Sequence, residues 1–251
     1  KPLKYNFDGY VLNRVVHDEF LVELAKKSGA DFRIDSRVDK VVGNTVHLRN
    51  GDEYTAKVIV DAGGHNGPIR RDYWSEKSTK IPVKFVLMDG DFGEAVELHF
   101  GSMAPGGYAW MFPKASGANI GLGIQRSFAK GRNLNEYTDE FVSKYEGEIT
   151  FNGAGSLPMS GTIKKFVKGN YVLVGDAAGM VLPSNGAGIT IAMIGGRIAG
   201  QVVAEHLKNG LALEEYEKIW KKQMGKVMRN SKRAFKMGSL LFRLPDWILN
   251  L

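Results

Sequence analysis

The 251 residues contain no cysteine. Disulfides, iron–sulfur clusters, cysteine-ligated zinc and a thiol nucleophile are therefore excluded within the chain, and the composition is in keeping with an intracellular, cytoplasmic protein. Long apolar runs are also lacking. The most apolar region, Met180 to Gly200, is interrupted by Pro183, Asn185 and Arg197, so no membrane-spanning helix is expected. The chain opens Lys1-Pro2-Leu3-Lys4-Tyr5, without the apolar core of a secretory signal. Histidine is scarce at five residues, and His17, His47, His99 and His206 show neither metal-ligand spacing nor an adjacent nucleophile. No metal is expected.

The remainder is ordinary for a globular chain, with 43% apolar and 24% charged residues, and its length allows one large or two small domains. The net charge is +7, placed unevenly. Lys218, Lys221, Lys222, Lys226, Arg229, Lys232, Arg233, Lys236 and Arg243 follow Glu217 with no acid between them. A basic helix leading into the leucine- and phenylalanine-rich tail Met237 to Leu251, with Trp247, fits peripheral docking at a membrane face. An ordinary helix that packs its apolar side on the core fits equally well. The aromatics Trp220, Phe235 and Phe242 lie in no nucleic-acid-binding module, and nucleic acid is not an expected partner.

The most informative stretch is Tyr171 to Gly200. Tyr171 to Val174 reads as a buried strand ended by Gly175 and Asp176. Small residues lead to Pro183-Ser184-Asn185-Gly186-Ala187-Gly188, where a helix, Ile189 to Leu207, begins. The glycines permit positive φ and close backbone approach. The first turn of the helix offers unpaired N–H groups and partial positive charge to an electron-rich group. A second strand exit, Val58 to Arg71, runs through Asp61-Ala62-Gly63-Gly64-His65-Asn66-Gly67-Pro68 into an arginine pair suited to phosphate or ribose. It serves equally as a flexible loop.

The order of acid, proline and glycines resembles the second flavin fingerprint of glutathione-reductase-type FAD folds. The resemblance implies that Asp176 hydrogen-bonds the ribityl chain of FAD. It also implies that Gly175, Gly186, Ala187, Gly188 and Ile189 form the flavin corner. The Val58 to Arg71 stretch resembles the middle fingerprint of the same group through Gly64 and Arg70. Gly63 stands where an acid is usual and Gly67 where serine is usual, so a nicotinamide-handling role does not follow.

Between these segments the pattern changes to antiparallel strands, Val83 to Leu87, Ala95 to Phe100, Gly107 to Phe112 and Asn119 to Ile124. In Pro105-Gly106-Gly107-Tyr108-Ala109-Trp110-Met111-Phe112-Pro113, strand alternation places Tyr108, Trp110 and Phe112 on one face, as a core layer or an apolar wall. The block resembles the P-x-x-Y-x-W-x-F-P motif of the geranylgeranyl reductase family, archaeal type. Gly9-Tyr10-Val11 with Arg14 and Asp18, Pro158-Met159-Ser160-Gly161, and Gly175-Asp176-Ala177-Ala178-Gly179 also match, so the likeness covers nearly the whole chain. It implies FAD-dependent hydrogenation of C=C bonds in geranylgeranyl chains of isoprenoid membrane lipids, supplied by an external electron donor. Arg14 would join the cofactor site, and Tyr108, Trp110, Phe112 and Pro113 the substrate site. No catalytic proton donor is assigned. Tyr108 and His65 are the titratable candidates near the motifs, and each also has a structural explanation.

The expected fold class is α/β, mixed α+β. An incomplete glutathione-reductase-type FAD domain covers 1–75 and 162–210, an inserted antiparallel β substrate domain 76–161, and a C-terminal helical segment 211–251. Such flavoproteins begin with strand, G-x-G-x-x-G and helix. The nearest candidate here, Gly121-Leu122-Gly123-Ile124-Gln125-Arg126, lacks the third glycine, and on the order of a hundred N-terminal residues, one βαβ unit and its extension, are expected to be absent. Two other functions fit the same motifs: a different FAD-dependent monooxygenase or quinone-linked electron-transfer flavoprotein, and a truncated, non-catalytic lipid- or partner-binding module. Strands over Asp31 to Val42, Thr45 to Leu48 and Glu53 to Val60, a helix ending near Gly29 and another over Asn133 to Tyr145 complete the reading.

Overall fold

The computed structural model describes residues 3–6 and 9–242. Asp8, Arg243, Trp247 and the tail beyond Phe242 lie outside the described residues. In chain order the elements are α1 (Arg14–Lys27), β1 (Val38–Val42), β2 (Thr45–Leu48), β3 (Glu53–Thr55), β4 (Ile59–Asp61), α2 (Pro68–Tyr73), β5 (Lys80–Asp89), β6 (Glu97–His99), β7 (Tyr108–Lys114), β8 (Gly117–Gly123), α3 (Leu134–Val142), β9 (Glu148–Pro158), β10 (Val167–Lys168), β11 (Tyr171–Leu173), α4 (Ile189–Asn209) and α5 (Glu215–Leu241). They fall into two compact units. One is drawn from the described parts of Lys1–Ile34, Ile81–Ser156 and Ser239–Leu251, the other from Asp35–Lys80 and Leu157–Gly238.

The second unit holds two small sheets. β1, β2 and β3 form an antiparallel meander, as the Gly43-Asn44 and Asn50-Gly51 turns lead one to expect. The expected third strand is cut short, because Ile59–Asp61 leaves the meander and pairs in parallel with Tyr171–Leu173 in the sheet β10-β11-β4. The expected strand from Asp31 begins only at Val38, since Asp35 turns the chain at φ 53°. β11 is wholly buried, as its run of Tyr, Val and Leu dictates. α4 closes over the sheet with Ile191, Ile198, Ala199 and Val202, and α5 adds Tyr216, Trp220, Met224 and Met228 at helical spacing. The apolar side of α5 thus packs on the core while its lysines and arginines face solvent. Glu217 on α5 is 2% exposed, and its carboxylate accepts the N–H groups of Phe166 at 2.7 Å and Val167 at 3.1 Å. Lys165 lies 3.2 Å from its other oxygen.

The first unit is built on a five-stranded sheet of order β6-β7-β8-β5-β9. Alternation along β7 buries Ala109 and Met111 against Ile120, Leu122, Val86 and the Phe141 side of α3. α3 is fixed by a capping box, with Asn133 accepting the N–H groups of Asn135 and Glu136 while the Glu136 carboxylate accepts that of Asn133. α1 buries no residue, and Phe20 is 58% exposed. No helix among the described residues is long and apolar enough to cross a membrane.

Candidate functional site

In the second unit, parallel β4 and β11 deliver their C-terminal acids, Asp61 and Asp176, to the same end of the sheet. The two acids have different tasks. Asp61 is 5% exposed, and its carboxylate accepts the backbone N–H of Gly63 at 2.8 Å and of Arg70 at 2.9 Å. It is a structural group. Asp176 sits in a single turn, Gly175–Ala178, entered through Gly175 at φ 58°. Half-buried, its carboxylate is given no donor by the described residues, and burial pushes its pKa up, with His65 pulling the other way. Burial, and then the charge of Lys80, push the His65 imidazole down.

A cavity of about 350 Å³ opens beside Asp176, lined by His65, Asn66, Arg70, Lys80, Trp74 and Gly179 among others. Arg70 is buried at its rim, but its guanidinium donates to the carbonyls of Trp74, at 3.3 Å, and of Glu76. It therefore holds the loop that walls the cavity. Gly64, at φ 78°, accepts the N–H of Gly67 and closes the preceding turn.

At the other side of Asp176, Gly186 turns the chain at φ 73° and donates to the carbonyl of Leu182 at 2.8 Å. Ala187 is pinned between the Leu182 N–H and the Asn185 side chain. Gly188 then precedes α4 as its N-cap with no side-chain cap, so the first-turn N–H groups from Ile189 onward receive no capping side chain from that position. A Cβ at Gly188 would lie 3.4 Å from Val181 and 3.6 Å from the Asp176 carboxylate, ordinary contact distances that set the start of α4 beside that carboxylate. A half-buried acceptor without a donor, a helix start without a side-chain cap and a basic cavity fit a flavin with its hydroxylated chain.

Arg14 belongs to the first unit, where it forms an exposed ion pair with Asp18 at 2.7 Å. The Asp18 carboxyl is held down at about 2, chiefly by that contact. Tyr10 is 97% exposed. In the same unit Tyr108, Trp110 and Phe112 do share one face of β7, with Trp110 lying 5.8 Å from Tyr108 and 6.0 Å from Phe112 between ring centres. Trp110 also donates to Asn119 Oδ1 at 2.7 Å. Alternation puts Pro113 on the opposite, buried face with Met111. Burial pushes the Tyr108 phenol up. Among the described residues no group of three or more potential ligands could hold a metal.

Residues 79–154, which carry this face, match the geranylgeranyl reductase catalytic domain. The chain is 34% identical to the digeranylgeranylglycerophospholipid reductase of Methanocella arvoryzae, over 96% of this chain and 67% of that protein. It is likewise 34% identical to the enzyme of that name in Methanococcus vannielii, over 97% of this chain and 67% of the relative. The chain belongs to the geranylgeranyl reductase family. Its fold is also that of the geranylgeranyl bacteriochlorophyll reductase-like protein of Thermoplasma acidophilum, with a TM-score of 0.84 at 27% identity over 98% of this chain and 68% of that one. The chain thus spans about two thirds of the length of these relatives. Within the family fold, Asp61 is the structural acid beside the site that sequence motifs alone did not single out. Its signal is an acid ending an apolar strand, the same signal that marks Asp176.

Proposed function

We propose that this chain is an FAD-dependent oxidoreductase acting on CH–CH groups, which hydrogenates the C=C bonds of geranylgeranyl chains in isoprenoid lipids of the archaeal type. The observation that carries the reading is the aromatic row Tyr108, Trp110 and Phe112 on one face of β7, inside the segment that matches the family's catalytic domain. An isolated alkene has no polar handle, so it is held by apolar area, and three aromatic side chains supply that area without burying a charge.

FAD, when bound, supplies the hydride for such a reduction. The protein supplies its seat. Asp176 is positioned to accept from hydroxyl groups, the turn Gly186, Ala187 and Gly188 presents little side-chain bulk, and the start of α4 offers N–H groups to an electron-rich edge. Apolar contact at the row keeps water from the alkene. An electron donor from outside the chain completes the cycle. Exposed Lys222, Lys226, Arg229 and Lys232 on α5 suit contact with the anionic surface that carries such lipids.

The test is the product. Purified protein given FAD, a chemical reductant and a digeranylgeranyl phospholipid should yield species heavier by two hydrogens per reduced bond. Oxygen incorporation instead would make it a monooxygenase. A folded protein that neither binds FAD nor changes the lipid would leave a lipid-binding module.

A further inference from the structure

The registers of the five-stranded sheet extend the aromatic row well beyond β7. Leu98 pairs with Trp110, Trp110 with Gly121, and Gly121 with Phe85, so these four residues form one line across β6, β7, β8 and β5 on a single face. Parallel lines hold Tyr108, Gly123 and Val83, and Phe112, Asn119 and Leu87. On β9 the face continues through Phe151, 52% exposed, whose ring centre is 6.0 Å from that of Phe85.

Two glycines determine how these rings lie. A Cβ at Gly121 would stand 2.7 Å from Cζ2 of Trp110, and a Cβ at Gly153 would collide with the ring of Phe85. Each large ring therefore leans over the neighbouring strand and rests on bare backbone. The Trp110 indole is fixed there by Asn119 at 2.7 Å. From Trp110 to Phe151 the rings span three interstrand spacings, about 14 Å, and no charged side chain interrupts the three lines.

We infer that the apolar chain of the substrate lies across the strands from Trp110 to Phe85 and Phe151, and that Gly153 sets the preference for long chains by letting Phe85 lie flat. The inference rests on the lipid-substrate reading above. Phe85 contacts the chain, and Gly153 is a positioning residue. Neither glycine needs an unusual φ, so a methyl group at 153 acts only through the Phe85 ring, which must stand up into the path of the chain.

The test is binding, independent of flavin and turnover. Affinity for geranylgeraniol and for the short geraniol is read from tryptophan fluorescence of the whole chain, with circular dichroism and thermal unfolding as folding controls. The unaltered protein should prefer the long probe. Gly153→Ala should weaken the long probe about tenfold, the worth of about two buried methylene groups, and leave the short one unchanged. Phe85→Leu in that background removes the obstruction and should restore part of the preference. An unchanged long-to-short ratio in folded Gly153→Ala, or no binding of either probe by the folded unaltered protein, would overturn the inference. Failure of the lipid-substrate reading would be seen separately, in the hydrogen content of the product.

Discussion

Asp61 holds the backbone of Arg70 and not its guanidinium. Its Oδ2 accepts the Arg70 N–H at 2.9 Å, while the guanidinium points away to the carbonyls of Trp74 and Glu76. Arg70 is the third residue of α2, so a carboxylate from the end of β4 caps a helix that begins seven positions downstream. This accounts for the departure at Gly67. A side chain there would normally cap α2, but Gly67 occupies the N-cap position without one, and a Cβ would collide with both oxygens of Asp61. Acid and glycine replace a serine cap together.

Gly67→Ala should therefore destabilise although its backbone, at φ −51° and ψ 146°, suits alanine. Asp61→Ala leaves two N–H groups without their acceptor at a buried turn, with a cost of about 1–3 kcal/mol for each unsatisfied group. Both variants should lower the thermal midpoint, and the double variant should cost less than the sum because the two act on one contact. Additive losses in a double-mutant cycle would contradict the shared cap.

Asp176 should show the opposite trade. Burial raises its pKa, so the folded protein holds this proton more tightly than the unfolded chain. That contribution favours folding below the ordinary carboxylate range and is lost as pH rises through the raised folded value. Asp176→Asn should raise the thermal midpoint of flavin-free protein at neutral pH while weakening FAD binding. It should also flatten the pH dependence of stability just above the ordinary range. A midpoint that falls in the flavin-free variant would mean that the carboxylate stabilises the corner.

Local patterns made the glycine corner before α4 legible, and distant partners made the rest illegible. The run Tyr171 to Leu173 and the glycines before Ile189 announce a buried strand and a helix start without reference to anything else, and both lie where the pattern puts them. The same holds for alternation in β7, which fixes the face of Trp110 and equally sends Pro113 to the other side. Glu53 to Val60 reads as one strand because Tyr54, Thr55, Val58, Ile59 and Val60 favour extension and no turn residue interrupts them. Only pairing with β11, distant in sequence, shows that Ile59–Asp61 belongs to another sheet. Asp61 was opaque for that reason, since its acceptor role depends on where α2 begins. The wider face from Leu98 to Phe85 needs the register of four strands, which no single stretch carries.

Glu217 should be the most sensitive acid on α5. It is buried, serves two backbone donors and faces Lys165 at 3.2 Å. Glu217→Ala should cost about 1–3 kcal/mol for each N–H group left unsatisfied, because Phe166 and Val167 lose their acceptor in the core. Glu217→Gln, which keeps one carbonyl oxygen, should cost less. Urea unfolding with unchanged m-values would measure both. Equal losses would assign the effect to charge alone.

The basic side of α5 faces solvent while Tyr216, Trp220, Met224 and Met228 face the core, so its charge can be altered without touching the packing. Lys218 is already committed to Glu215 at 2.5 Å, whereas Lys222, Lys226, Arg229 and Lys232 have no ion pair to an acid among the described residues. If α5 meets the lipid surface, changing these four to glutamine should reduce cosedimentation with phosphatidylserine-containing vesicles. At roughly 1 kcal/mol per basic residue near such a surface, the loss approaches three orders of magnitude. The unaltered protein should lose the same affinity as salt shortens the Debye length from about 8 Å towards about 3 Å. Thermal stability and reduction of a detergent-dispersed lipid should not change. Vesicle binding that survives both the four substitutions and high salt would rule out an electrostatic dock on α5.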